Sequence, residues 1–206
     1  MNFSPGNLVA LVVAASFAAG LNLYATILTL GLLARTHWVQ LPSGLDSLGH
    51  TWVLAACGVL FCVEFVADKI PGVDLIWNAI HTLVRAPIAA LVAYHATAQM
   101  SPEMQLLATA LGGAIALAAH GSKTAVRAAV TPSPEPVSNI ALSTSEDVVA
   151  IGMTWVATHH PIAAASVAVC LLAGAFFAAK YLFRSLRRTL SKVSSVLMKP
   201  ALPAGK

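Results

Sequence analysis

Charge is scarce in this sequence. Only 10% of the residues are Asp, Glu, Lys or Arg, against 58% hydrophobic ones, a balance that excludes an ordinary soluble globular domain and makes the lipid bilayer the expected solvent. Cysteine is scarce too. Cys57, Cys62 and Cys170 form no CxxC pair and lie in apolar runs, so the chain offers neither a disulfide framework nor a zinc site, and all three are expected as small core residues. HExxH, GxSxG and paired cysteines are missing as well, which leaves metal and nucleophile chemistry without a motif. A basic face is also lacking. Residues 1–179 hold five Lys or Arg against eight Asp or Glu, and the seven basic residues from Lys180 onward turn the net charge to +4. The basic balance therefore belongs to the tail and excludes a nucleic-acid reading.

The most informative stretch runs from Glu64 to Arg85. Glu64 and Asp68 share a helix face, Lys69 follows, and the chain breaks at Pro71 and Gly72. Beyond the break Val73, Ile76, Trp77, Ile80, Leu83 and Val84 make an apolar stripe, while Asp74, Asn78, His81 and Arg85 make a polar one. This is the pattern of an amphipathic helix, expected at the cytoplasmic boundary of the membrane.

The rest of the chain reads as an all-α, polytopic membrane helix bundle of about six spans over residues 1–183, followed by a basic cytoplasmic tail at 184–206. The first span, Asn7 to Leu33, lacks a preceding Lys or Arg and is expected as a retained helix rather than a cleaved signal. Asn22, Thr26 and Thr29 share one of its faces beside Gly20, with Tyr24 nearby, as on a helix packed against protein. The second span opens at Trp52. Its charge-free part ends at Val63, and twelve residues give only about 18 Å of helix against roughly 30 Å of hydrocarbon, so Glu64 and Asp68 should lie below the membrane surface. The third span runs from Ala86 to Met100. The fourth starts near Met104 and ends on a cationic stripe of His120, Lys123 and Arg127, with a turn at 131–136. The fifth must take in Asn139 to Asp147 to be long enough, which draws Glu146 and Asp147 towards the membrane. His159 and His160 make an outward turn before the sixth span, Ile162 to Tyr181.

Six spans, with basic residues in the even loops and the tail, place both termini in the cytoplasm. Short matches such as Arg85-Ala-Pro-Ile-Ala-Ala with His160-Pro-Ile-Ala-Ala raise a 3+3 inverted repeat. The orientation gathers Glu64, Asp68, Lys69, Asp74, His81, Arg85, His120, Lys123, Arg127, Glu146 and Asp147 in one cytoplasm-facing vestibule, with Asn22 and Tyr24 lining the path from the first helix.

Ionisable residues in a span usually pair or line a wet pathway. Transport or handling of a small anionic or lipid-phosphate solute is the leading expectation: Arg85, Lys123 and Arg127 would receive the anion, and Glu64, Asp68 and Asp147 would take protons or a coupling cation. The partners are then the lipid bilayer and that solute. Against it stand a membrane-embedded enzyme acting on lipid head groups, and a non-catalytic scaffold whose buried charges only pair. No catalytic residue, metal ligand or cofactor is assigned.

Four stretches together resemble a known group of proteins: Gly20-Leu-Asn-Leu-Tyr-Ala-Thr26, Glu64-Phe-Val-Ala-Asp-Lys-Ile-Pro-Gly-Val-Asp74, His120-Gly-Ser-Lys-Thr-Ala-Val-Arg127, and Pro134-Glu-Pro-Val-Ser-Asn139 with Ser145-Glu-Asp147. The chain from about residue 15 to 180 is similar to the bacterial membrane family described as domain of unknown function 4126. The resemblance implies an integral membrane protein and brings no substrate with it; the bacterial inner membrane is the expected location.

Overall fold

A computed structural model of the chain describes residues 4–70, 72–130 and 136–197. Among these residues there is no strand, and seven α-helices follow in order: α1 (Pro5–Leu21), α2 (Leu23–Thr36), α3 (Thr51–Ala67), α4 (Val73–Ala96), α5 (Pro102–Val130), α6 (Pro136–His159) and α7 (Pro161–Leu197). A 3-10 helix at Ser43–Gly49 precedes α3. Pro71, most of the expected turn at 131–136, and the end of the tail with Lys199 lie outside the described residues.

Among the described residues, three helical segments are long and apolar enough to cross a membrane: Val73–Ala96, Pro102–Arg127 and Pro161–Tyr181. The 3-10 helix and α3 meet the same test as a pair bent by 67°. α1 and α2 are apolar but short, at about 26 and 21 Å from the helical rise.

α1 is the centre of the packing. Its buried residues run from Leu8 to Gly20 on all sides, and it touches α4, α5, α6 and α7; a helix apolar all round belongs inside a bundle. Leu11, Phe17 and Met153 fill the seam it forms with Ala119, Ala157 and Ala164. Small residues set how close the helices come. A Cβ added at Gly20 would lie 2.5 Å from the Ala116 carbonyl oxygen and 2.6 Å from the Ala119 Cβ, so α1 and α5 meet backbone to backbone there.

The first span, expected as one continuous helix, is a helical hairpin. Val12 of α1 packs with Leu45, Ala93 and Ala96, while Gly31 of α2 lies against Leu48. Both arms therefore return to the 3-10 helix and the C-terminal end of α4. The tip is Asn22, with an extended backbone at φ −144° and ψ 106°. Its own side chain holds the break: Oδ1 accepts from the Ala25 amide at 2.9 Å and caps α2, taking the place of the Leu21 carbonyl that a continuous helix would use.

A second correction concerns residues 73–85. They form no separate surface helix but the first half of α4, which continues through Pro87 to Ala96. Proline there removes only the bond to the Leu83 carbonyl, on the outer face, where Leu83 is exposed. The polar stripe Asp74, Asn78, His81 and Arg85 faces the protein, and Ile76, Ile80 and Leu83 face outward. Polar inside and apolar outside is the arrangement that lipid, not water, requires.

α5 passes Gly121 without a break, and α7 continues beyond residue 184 to Leu197. Of the cysteines only Cys57 is buried; Cys62 and Cys170 are exposed. The reading of all three as core residues is corrected on that point, since an apolar run on a bundle's outer face serves lipid contact as well as burial.

Candidate functional site

The residues singled out by spacing meet where four helix ends come together: the C-terminal end of α3, the start of α4, the last turns of α5 and the first half of α6. Glu64 and Asp68 close α3, and both are buried. The turn that follows is tight, with Gly72 at φ 89°, a conformation glycine adopts without steric cost. Asp74 fixes the re-entry: its Oδ1 accepts from the Gly72 amide at 2.9 Å and the Leu75 amide at 2.8 Å. That leaves Oδ2 turned towards Arg127, 3.6 Å away.

The cations arrive from α4 and α5. Arg85 pairs with Glu64 through Nη2. Lys123 Nζ donates to Asp68 Oδ2 at 2.9 Å and lies 3.4 Å from Glu146 and 3.7 Å from Glu64. Arg127, one turn later, pairs with Glu146, and donates to Asp68 Oδ2 at 3.1 Å and to the Asp68 carbonyl at 2.9 Å. Lys69 faces Asp147 at 3.9 Å and donates to the Phe65 carbonyl at 3.0 Å.

The hairpin tip is built into this cluster. Arg85 Nη1 donates to the carbonyls of Gly20 at 2.9 Å and Leu21 at 2.7 Å, and Lys123 Nζ donates to the Leu21 carbonyl at 2.9 Å. These are carbonyls that the interruption of the helix leaves free. On the other arm, Asn22 Nδ2 donates to Asp147 Oδ1 at 2.8 Å. Cations thus sit at the negative C-terminal end of α1, and a carboxylate at the positive N-terminal end of α2. Asn22 serves both arms.

The charges do not balance. Glu64, Asp68, Asp74, Glu146 and Asp147 face Lys69, Arg85, Lys123 and Arg127, one acid more than base. Glu64 Oε2 and Asp68 Oδ1 are buried and accept no hydrogen bond within the described residues. An uncompensated carboxylate in a low-dielectric interior is costly, and the cluster leaves one acid without a cation of its own.

The histidines form a second layer. His81 Nδ1 donates to the Trp77 carbonyl at 2.8 Å, and Nε2 shares a hydrogen bond of 2.9 Å with the Tyr24 hydroxyl. His120 Nε2 faces the Asn78 carbonyl at 3.0 Å and Thr82 Oγ1 at 2.9 Å. Tyr24, His81 and His120 therefore brace α2, α4 and α5 against one another beside the charged cluster.

Sequence reasoning missed two contributors. Asn139, whose Nδ2 reaches the Asp68 carbonyl at 3.3 Å, and the buried Ser143 precede Asp147 at spacings of eight and four. That periodicity was readable as a polar face of α6. No group of three or more His, Cys, Asp or Glu among the described residues is placed to hold a metal ion.

No curated protein and no solved structure matches the chain. A family model does, over residues 9–181, a range that takes in the hairpin, both layers of the polar centre and the first half of α7. The chain belongs to the family described as Domain of unknown function (DUF4126).

Proposed function

We propose that this chain is a multi-pass protein of the bacterial inner membrane whose charged centre binds and passes a small anionic or lipid-phosphate solute, taking up a proton as it does so. The observation that carries the reading is the hairpin tip, where Arg85 and Lys123 hold the free carbonyls of α1 and Asn22 joins Asp147. Half-helix ends buried among charged side chains near the membrane midplane are a recurrent device of transporters. Irregular backbone at that depth is tolerated where protein or a wet cavity surrounds it.

The charge arrangement explains the proton. Arg85, Lys123 and Arg127 are each engaged by a carboxylate, so an incoming anion must displace one. Protonation of Glu146 or Asp68 releases a cation for the anion. Solute binding and proton uptake then occur at the same pair of side chains.

The hairpin changes the expected topology. Six crossings with both termini in the cytoplasm require the first segment to cross, and a segment that returns to its starting side does not. We favour five crossings, α3 to α7, with α1–α2 re-entrant, the basic tail cytoplasmic and the N-terminus on the periplasmic side. A 3+3 repeat would pair this hairpin with the unbroken α5, and the reading does not rest on it. The scaffold reading retains one specific support, the engagement of every buried cation.

Proteoliposomes containing a trapped pH indicator separate the two readings. With bacterial metabolite and lipid extracts supplied outside, solute-dependent acidification is expected, and Asp68→Asn should reduce it by at least tenfold. Traces equal to those of empty vesicles for a folded protein would leave the scaffold.

A further inference from the structure

The end of α3 is attached to the bundle differently from its middle. Around Cys57 the helix packs by apolar contact, with Val53, Leu60 and Phe61 in the same cluster as Leu23 and Ile27 of α2. Beyond Phe61 that packing stops. Cys62, Val63, Phe65 and Val66 are exposed, and of residues 62–68 only Glu64, Ala67 and Asp68 are buried. What holds this end is ionic: Glu64 on Arg85, Asp68 on Lys123 and Arg127, and the Asp68 carbonyl on Arg127 and Asn139. Apolar surface gains nothing from water, whereas separated charges recover their hydration, so an ionic attachment exchanges with water more readily than an apolar one.

Beneath that end α6 carries a polar stripe with unused hydrogen-bonding atoms. Asn139, Ser143 and Asp147 follow at spacings of four and share a helix face. Both ends of the stripe meet the residues that close α3: Asn139 Nδ2 reaches the Asp68 carbonyl at 3.3 Å, and Asp147 Oδ2 lies 3.9 Å from Lys69 Nζ. Ser143, between them, lies under the same cover. All three residues are buried, yet Asn139 Oδ1, Ser143 Oγ and Asp147 Oδ2 make no hydrogen bond within the described residues. Buried polar atoms are normally paired, so three unpaired ones in a row mark a face suited to water or a polar solute and covered in this conformation. The cover is free to swing outward. Its outer side, with Val63, Phe65 and Val66, is apolar, and the turn after it contains Gly72 at φ 89° with nothing within 4 Å of a Cβ position.

We propose that the last two turns of α3 are a gate over this stripe, latched by Asp68, and that Asn139, Ser143 and Asp147 line the way from the α3–α6 seam to the charged centre. The inference rests on the proposed handling of an anionic solute and supplies its route. An anion that engages Lys123 or Arg127 takes the place of Asp68 and frees the end of α3. The amide, hydroxyl and carboxylate of the stripe then find partners in water or in the solute, a lining that suits a small hydrated anion and not an acyl chain.

The test measures access to Ser143, which is fully buried behind the latch. The full chain, lacking its three native cysteines, carries Ser143→Cys or, as a reference for the bundle as a whole, Ala157→Cys in the seam with α1. A charged methanethiosulfonate reagent is added in detergent. Asp68→Asn should raise the labelling rate at Ser143→Cys about tenfold, a ratio within reach of one hydrogen bond to a charged group, and leave Ala157→Cys unchanged. An unaltered rate at Ser143→Cys, or equal acceleration at both positions, would overturn the proposal. A second measurement leaves the latch intact. Spin labels at the exposed positions Val66→Cys and Val148→Cys should show a second, longer separation that gains population when inorganic phosphate replaces chloride at equal ionic strength; one separation in both salts would overturn the gate. Opening without solute-dependent acidification would keep the gate and remove the transport reading, whereas acidification with Ser143→Cys inert would keep transport and remove the gate.

Discussion

At the scale of single residues, Arg127 shows how the centre is held and how far its chemistry was legible. Spacing alone placed His120, Lys123 and Arg127 on one stripe and Glu64 with Asp68 on another, because helical periodicity is local. Which acid meets which base is set by helix ends distant in sequence, and no periodicity reports that. In the structure Arg127 alone faces Asp68, Asp74 and Glu146. Replacing it with methionine keeps much of the volume but leaves Asp74 without a facing cation and Asp68 and Glu146 to share Lys123, so Arg127→Met should cost about 3–5 kcal/mol of stability, measured by thermal unfolding in detergent. Adding Glu146→Gln removes one of the two carboxylates left to share Lys123. The double variant should recover part of the loss, a coupling visible in a double-mutant cycle. Strict additivity would mean that the two side chains do not share the network.

At the scale of elements, the helical stretches were readable and the behaviour of their ends was not. Residues 7–33 read as one span because nothing in their hydropathy marks Asn22 as a tip; the signal is a single amide in an apolar run, easily taken for helix packing. The stripe on α4 was found correctly, but its orientation depends on the solvent, and in lipid the polar side turns inward. Two glycines test the resulting packing. Gly20→Ala would push a methyl into the Ala116 carbonyl and the Ala119 side chain, and overpacking of this kind should cost about 1–3 kcal/mol. A Cβ at Gly121 meets nothing within 4 Å, so Gly121→Ala should stabilise α5 by about 0.5–1 kcal/mol. Comparison of their unfolding temperatures checks both, and a destabilised Gly121→Ala would show that α5 is not continuous there. Asn22→Leu addresses the hairpin itself. It removes the cap on Ala25 and the bond to Asp147, of which the cap alone is worth about 0.5–2 kcal/mol. Solute-dependent acidification should fall more than stability does, because the tip is where the two helix ends face the charges.

At the scale of the whole molecule, the hairpin decides which side of the membrane each end occupies, and the consequence can be measured directly. Counting hydrophobic segments led to six crossings because that count treats every apolar run as a traverse. The structure instead returns α2 to the side from which α1 set out, with Gly31 and Arg35 beside Leu48 and Thr51. The N-terminus then lies on the side of the α4–α5 and α6–α7 turns, opposite the start of α4 and the end of α5. Single cysteines placed at Ser4, Ser101, His160 and Arg184 in a chain lacking Cys57, Cys62 and Cys170 report this arrangement. A membrane-impermeant maleimide added to intact spheroplasts should label the first three positions and spare Arg184→Cys until the membrane is opened. The decisive comparison is Ser4 with Ser101. Both sit at exposed helix starts, so unequal access cannot be ascribed to burial in the protein. If Ser4→Cys is protected together with Arg184→Cys, the first segment crosses, six spans with both ends inside are restored, and the tip at Asn22 becomes a kink in a spanning helix. If Ser4→Cys reacts with Ser101→Cys, the cations at Gly20 and Leu21 hold the end of a re-entrant arm. The centre is then reached by half a helix from one side and by the charged ends of α3, α4, α5 and α6 from the other.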